Sequence, residues 1–150
     1  MAVETTITSG TEPVNFVASP IRASWILAGE PVARVALLSS SADGTARTYY
    51  WDCTAGRFNW YYDFDETLHI LEGSVRLKAP SGSSRLVVAG DTIFFPAGSQ
   101  AEWTVDTYIR KLAFCRTPLP GYLASARDIG RKLKKLMNGG GKQRESSGLL

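Results

Sequence analysis

The stretch of sequence that decides the fold lies between Gly56 and Val105. It opens with GRFNWYYDFDETLHILEG (56–73) and closes with GDTIFFPAGSQAEWTV (90–105). Both parts consist of short runs rich in aromatic and β-branched residues, separated by glycine and proline turns. Outward from this stretch, the chain contains roughly ten such runs in all, with turn signals every 8–12 residues or so. This spacing predicts an all-β protein, either a sandwich or a barrel.

Length and composition are those of a single globular domain. The chain has 150 residues, of which 44% are hydrophobic, enough to bury a core without disulfides or metals. Its formal charge of +3 is unevenly distributed. Residues 1–120 contain 10 Lys or Arg and 12 Asp or Glu, whereas residues 121–150 contain 7 and 2. The basic excess therefore belongs to the C-terminal part, and we expect no nucleic-acid partner for the domain.

The C-terminal part carries the only helical pattern. Apolar residues recur there at spacings of three and four, namely Leu123, Ala126, Ile129, Leu133 and Leu136. The pattern predicts a basic amphipathic helix within residues 118–138, followed by a flexible tail at 139–150. We expect the apolar stripe to pack on the body of the protein or on a second subunit, with contact to an anionic surface as the alternative.

The sequence contains no targeting or membrane signal. MAVETTITSG (1–10) lacks the basic and apolar regions of a signal peptide, and no apolar run is long enough to span a bilayer. The two cysteines, Cys53 and Cys115, are not in a CxxC arrangement. We therefore expect a cytoplasmic protein without a membrane span and with both cysteines as free thiols.

The central stretch resembles the two conserved motifs of the cupin superfamily. The matched positions are Gly56, Glu66 and Gly73 in the first motif and Gly90, Pro96 and Gly98 in the second. The resemblance covers residues of about 45–116 and implies a cupin double-stranded β-helix, a jelly-roll barrel, over residues 1–117. Because cupins usually pair, it also implies a homodimer.

Further residues are similar to one poorly characterised group of cupins, the ethanolamine-utilisation and ureidoglycine type. The shared pieces are WDCTAGRF (51–58), DE (65–66), LEG (71–73), GD (90–91), FPAG (95–98), WTV (103–105) and RK (110–111). Many members of this group have no known function, so the resemblance predicts the fold more closely than the activity.

The metal ligands of cupins are missing from the motifs. Tyr62 and Phe64 occupy the first two histidine positions, Ala101 the third, and Val105 the asparagine position. The resemblance therefore implies a barrel without the usual three-His, one-Glu site, and we expect neither metal nor cofactor. His69 is the one histidine of the sequence, and strand alternation places it on the face opposite Glu66.

The retained Glu66 marks the candidate site. Alternation along the strands places its side chain in the barrel, opposite an aromatic wall, so that Glu66 and the Tyr62 hydroxyl are the polar groups. The wall consists of four candidate ligand-binding residues, Phe58, Trp60, Phe64 and Trp103. A buried carboxylate needs a partner, and either Arg110 or Lys111 fits that role.

Two interpretations of this interior remain open. The aromatic side chains either fill the barrel as a core or line a small-molecule pocket. Likewise, Glu66 either forms an ion pair that orients strands or takes part in function.

Three functional hypotheses follow from these features. In the first, the protein binds a small polar metabolite without a transition metal. In the second, it is a lyase, isomerase or amidohydrolase in which Glu66 acts as acid or base, assisted by Tyr62 and Lys111. In the third, it is an interaction module whose basic helix contacts an anionic partner.

Overall fold

The computed structural model describes residues 14–139, so nearly all of the predicted tail at 139–150 lies outside the described residues. The strands are β1 Val17–Ala18, β2 Ile26–Ala28, β3 Ala33–Ser40, β4 Ala46–Tyr61, β5 Asp65–Lys78, β6 Ser84–Val88, β7 Thr92–Phe95 and β8 Gln100–Arg116. A short 3₁₀ helix, Ala23–Trp25, precedes β2, and one α-helix, α1 Gly121–Gly139, follows β8. The predicted all-β class with a C-terminal helix is confirmed.

All strand pairings are antiparallel. The hydrogen-bonded order is β1-β3-β4-β8-β5-β6, with β2 paired to β4 and β7 paired to β5. Strands β4 and β5 therefore both flank β8, and this arrangement brings residues that are far apart in sequence to one place in the interior.

Three strands are longer than the sequence predicts. The roughly ten short runs of the sequence correspond to eight strands within the described residues, because β4, β5 and β8 run through residues 54–56, 72–73 and 105–109 as strands of 16, 14 and 17 residues. The pairing register shifts near two of these positions, between Thr54 and Gly56 and on both sides of Gly73. In β4 and β5 the glycine lies at a bulge, where the strand bends but continues, and residues 105–109 of β8 lie opposite both irregularities. The prediction of separate strands was therefore wrong.

Gly73 lies at one such bend and has a left-handed backbone conformation, with φ +77°. A Cβ atom at this position would overlap the backbone carbonyl of Tyr108 on the neighbouring strand β8. Glycine is therefore required twice here, for its conformation and for the close approach of the two backbones.

The interior follows the predicted alternation. Leu68 and Ile70, at alternate positions from Glu66 on β5, are buried, and so are Ala101, Trp103 and Val105, at alternate positions on β8. With Phe58 of β4 and Ile109 of β8 they belong to one continuous hydrophobic cluster. The cluster provides the apolar setting in which the polar residues of the site are held.

Helix α1 has an amphipathic sequence along Gly121–Gly139. Leu123, Ile129, Leu133 and Met137 are all exposed, with Met137 at 81%. Arg131 donates a hydrogen bond to Asp128 one turn earlier (2.6 Å). Among the described residues, no helix is both long and apolar enough to cross a membrane.

The first testable prediction concerns Gly73. We expect Gly73→Ala to lower the free energy of unfolding by roughly 3–5 kcal/mol, because a left-handed alanine is strained and its methyl group overlaps Tyr108. Gly82→Ala is the matched control, since Gly82 is also left-handed (φ +90°) but has open space around it. We expect that control to lower the free energy of unfolding by about 1–2 kcal/mol. Urea unfolding of both variants measures these losses, and equal losses would contradict the overlap with Tyr108.

Candidate functional site

Glu66 and Lys111 come together in the barrel interior. Glu66 lies near the start of β5, and Lys111 lies on β8 with Ile70 of β5 and Trp51 of β4 as its cross-strand neighbours. Each of the two charged residues is only 3% exposed. The structure thus answers the question left open by the sequence: Lys111 faces inward and Arg110 faces outward.

The two side chains form a direct ion pair. Lys111 Nζ donates a hydrogen bond to Glu66 Oε1 at 2.5 Å. Within residues 14–139, Glu66 makes no second side-chain hydrogen bond, so its other oxygen, Oε2, remains an available acceptor. Two of the three N–H bonds of the ammonium group also remain for other partners.

Three tryptophan rings surround the Lys111 ammonium group. Its Nζ lies 4.9 Å from the ring centroid of Trp51, 5.0 Å from that of Trp103 and 5.8 Å from that of Trp60. Tryptophan attracts cations most strongly among the aromatic side chains, and the attraction grows when the cation is desolvated. The three rings, which we call the tryptophan cage, therefore offset part of the cost of burying the lysine.

A cavity of about 160 Å³ adjoins the ion pair. Its lining comprises Ser19, Val35, Tyr49, Trp51, Trp60, Phe64, Glu66, Lys111, Ala113 and Cys115. The surface is mainly apolar and aromatic, with few polar groups, which is the composition of a small-molecule site. Among the described residues, the buried Trp51 Nε1 has no hydrogen-bond partner.

Tyr62 is in the core and not in the lining of this cavity. Its ring stacks on Phe95 (centroids 4.2 Å apart, planes at 7°), and its hydroxyl accepts a hydrogen bond from Trp103 Nε1 (3.1 Å). Burial, and then the nearby charge of Glu66, raises the pKa of the Tyr62 hydroxyl well above its usual range. The phenol is therefore neutral and already engaged.

The predicted site residues thus fall into two groups. Glu66, Lys111, Trp60 and Phe64 line the cavity. Tyr62, Phe58 and Trp103 are packed in the core, where Phe58 stacks on Trp103 with centroids 6.1 Å apart.

Trp51 is a residue of the site that the sequence pattern does not indicate. Trp51 is opposite Lys111 in the β4–β8 pairing, and only that register brings the two together. Its position two residues before Cys53, within a run of β-favouring aromatics, was the one available signal.

Cys115 is the other lining residue with reactive chemistry. Burial, and secondarily the charge of Glu66, raises the pKa of its thiol to about 12. Burial likewise raises the pKa of Cys53 to about 12. Both cysteines are free, as predicted, and both are uncharged thiols near neutral pH rather than thiolate nucleophiles.

The side chains do not fit a cupin metal centre. Tyr62 is a neutral phenol bonded to Trp103, Phe64 and Ala101 offer no donor atom, and Glu66 is paired with a lysine. The ammonium group of that lysine would repel a metal cation brought to Glu66. In the described part of the chain, no three His, Cys, Asp or Glu side chains come together.

A larger cleft of about 540 Å³ lies at another part of the barrel. Ala101, the third histidine position of the motif, belongs to its lining, together with Phe95 and the exposed Lys78 and Arg85. No buried charged residue lines this cleft, so the candidate site remains the smaller cavity beside Glu66 and Lys111.

Arg110 has a structural role on the outer surface. Its NH2 group lies 3.3 Å from Oδ2 of Asp52, which also accepts hydrogen bonds from Arg34 (2.6 Å) and Tyr108 (2.9 Å). Burial alone would raise the pKa of Asp52, but these hydrogen bonds outweigh it and lower that pKa. The cluster ties β3, β4 and β8 together outside the barrel. On the same side, His69 faces away from Glu66, as predicted, and lies 2.9 Å from Thr92 Oγ1.

The fold and the site define a cupin barrel in which Tyr62, Phe64 and Ala101 stand at the three histidine positions and Glu66 is paired with a lysine. Residues 40–113 match the family model for the EutQ-like cupin domain. The chain belongs to the cupin superfamily, in its EutQ-like group. No curated protein matches the chain.

Solved structures agree with this assignment. A protein of unknown function from Pseudomonas syringae, of the DUF861 family, is 28% identical with a TM-score of 0.63; the match covers 70% of this chain and 45% of that protein. The EutQ protein of Clostridium difficile is 19% identical over 58% of this chain and 64% of its own, with a TM-score of 0.51.

An enzyme also shares the fold. The polyketide cyclase RemF of Streptomyces resistomycificus is 20% identical, with a TM-score of 0.55, over 76% of this chain and 82% of its own. At these identities the EutQ and RemF structures support the fold alone. The chain spans less than half of the length of the Pseudomonas protein.

The second testable prediction concerns the ion pair. Lys111→Met leaves Glu66 buried without its partner, and we expect a loss of about 3–5 kcal/mol in the free energy of unfolding near neutral pH. The double variant Glu66→Leu/Lys111→Met removes both charges and should recover most of that loss.

Urea unfolding of the four proteins of this double-mutant cycle measures the coupling. Additive effects of the two substitutions would contradict a direct interaction between Glu66 and Lys111.

Proposed function

We propose that the protein binds a small polar metabolite in the cavity beside Glu66 and Lys111, without a metal ion. The observation that carries this proposal is a buried ion pair at the wall of an aromatic cavity. A buried pair of this kind is a poor device for stability, since well-packed apolar residues of similar volume are often as stable or more so. The retained pair therefore favours a role in recognition.

The size of the cavity limits the ligand. A dry engineered cavity of about 150 Å³ holds one benzene molecule, and the cavity here has about 160 Å³. We therefore expect the cavity to hold roughly six non-hydrogen atoms of the ligand. Glu66 Oε2 supplies an acceptor for it, Lys111 supplies donors, and Trp60 and Phe64 supply apolar surface.

The third testable prediction is that filling the cavity prevents binding. Ala113 is buried in the cavity lining, and Ala113→Leu places three additional carbons there. We expect the variant to lose the thermal stabilisation that small polar amides produce in the wild type. At a ligand concentration of about 100 times the dissociation constant, the free energy of unfolding of the wild type should rise by about 2.7 kcal/mol.

Ala101→Leu is the matched control for this experiment. Ala101 is also a buried alanine of β8, but it lines the larger cleft. This variant should bind as the wild type does. If the compounds stabilise both variants equally, the proposed binding site is refuted. It is also refuted if they stabilise neither the variants nor the wild type.

The alternative function is catalysis on a small organic acid or ureide. Glu66 would act as acid or base, with Lys111 placed to hold an oxygen of the substrate and Tyr62 held behind the cavity. The adjacency of a carboxylate and an ammonium group in one cavity favours this alternative. Glu66→Gln separates the two functions: it abolishes turnover by a catalytic Glu66, whereas a binding protein shows no turnover in either form.

We also propose that two copies pair through the outer face of the sheet. There, cross-strand neighbours on β7, β5, β8 and β4 form a surface without charged side chains, which we call the outer aromatic face; it comprises Tyr50, Thr67, His69, Thr92, Phe94, Leu112 and Phe114. Phe94 is 58% exposed and Phe114 48%. Aromatic enrichment with few charges is typical of the centre of an interface, and the resemblance to cupins favours a second copy as the partner.

The fourth testable prediction addresses this pairing. In sedimentation velocity, the wild type should sediment as a dimer and Phe94→Lys as a monomer, because a lysine would be buried without a partner. Leu27→Lys, at an exposed apolar residue of β2, should leave the dimer intact. A monomeric wild type would contradict the proposal.

A further inference from the structure

The inference concerns the charge of the molecule that the cavity accepts, and it rests on the proposed function. The lining contains one negative side chain, Glu66, and one positive side chain, Lys111. Cys115 is an uncharged thiol there, since burial raises its pKa to about 12. The lining therefore carries no net charge.

The two charges already compensate each other. Lys111 Nζ is 2.5 Å from Glu66 Oε1, and both side chains are 4% exposed. The attraction of the aromatic rings for a cation is also in use, because the tryptophan cage encloses the lysine ammonium group. No unpaired charge in the lining is left to neutralise a charged ligand.

An anion or a cation in this cavity would lose part of its hydration and meet no unpaired counter-ion. An anion that accepts a hydrogen bond from Lys111 would lie beside the negative Glu66, and a cation at Glu66 Oε2 would lie beside the positive Lys111. In either case the cavity would hold a charge without a partner of its own, which is costly in a largely apolar setting.

A neutral polar molecule avoids this cost. Its oxygen accepts a hydrogen bond from an N–H of Lys111 that the ion pair does not use, and its N–H donates a hydrogen bond to Glu66 Oε2. Primary amides and ureas carry one acceptor and one donor on neighbouring atoms, so they use both partners without separating them. Their apolar remainder packs on Trp60 and Phe64.

We propose that the Glu66–Lys111 pair makes the cavity selective for small molecules without net charge, of the amide or urea class. The pair is then a specificity determinant: it supplies polar contacts and at the same time excludes the isosteric ions.

Three molecules of nearly equal shape test this proposal: acetamide is neutral, acetate is an anion and acetamidinium is a cation at neutral pH. Each is titrated into the full-length protein labelled with ¹⁵N, and the indole N–H signals of the tryptophans report binding. We expect acetamide to bind the wild type at least about tenfold more tightly than either ion, a clear difference on the scale of affinities.

Two variants invert the selectivity in opposite directions. Glu66→Gln leaves Lys111 as the only charge and should favour acetate, whereas Lys111→Met leaves Glu66 and should favour acetamidinium. Because Lys111→Met is also expected to be less stable, the comparison of the three molecules on the wild type decides the proposal by itself.

The outcomes separate this inference from the proposed function. Acetate or acetamidinium binding the wild type as tightly as acetamide would overturn the charge selectivity and leave binding in the cavity intact. If none of the three molecules shifts the indole signals, or if Ala113→Leu does not weaken the shifts, both the selectivity and the binding site are refuted.

Discussion

The ion pair between Glu66 and Lys111 is the interaction on which the arrangement of the interior depends. Each charge is tolerable in the barrel only because the other is 2.5 Å away, and Lys111 is further stabilised by the tryptophan cage. The pair joins β5 to β8, and the cage adds β4 through Trp51. The ion pair and the tryptophan cage thus connect the three long strands at one polar site within an apolar core.

The same pair explains how a cupin barrel is built here without its metal ligands. Metal cupins place several donor side chains around the retained glutamate. In this chain a lysine provides the positive charge, and the former ligand positions are occupied by packed residues. Tyr62, stacked on Phe95 and bonded to Trp103, shows the change most clearly, because it occupies a histidine position and belongs to the core.

The sequence predicted the fold well because its decisive signals are local. Glycine and proline at fixed spacings mark turns, and alternation within a strand is enough to place Glu66, Leu68 and Trp103 inside. The continuity of β4 and β5 was not predicted, because a bulge and a turn have the same glycine signature.

The site was predicted only in part. Glu66 and its aromatic surroundings follow from alternation, but the choice of Lys111 over Arg110 depends on the register of β8 after its bend. Trp51 was missed for the same reason, since its position opposite Lys111 is set by pairing between strands far apart in sequence. Whether an inward aromatic residue lines a cavity or fills the core, as for Trp60 and Tyr62, is decided by packing that no local pattern records.

The most direct test of the central claim is a crystal structure of the protein soaked with a primary amide. The account predicts density for the amide in the cavity between Trp60 and the ion pair, with its oxygen within hydrogen-bond distance of Lys111 Nζ, its nitrogen within that distance of Glu66 Oε2, and the pair itself intact. A cavity closed by its own side chains, or a transition metal bound at Glu66, would contradict it.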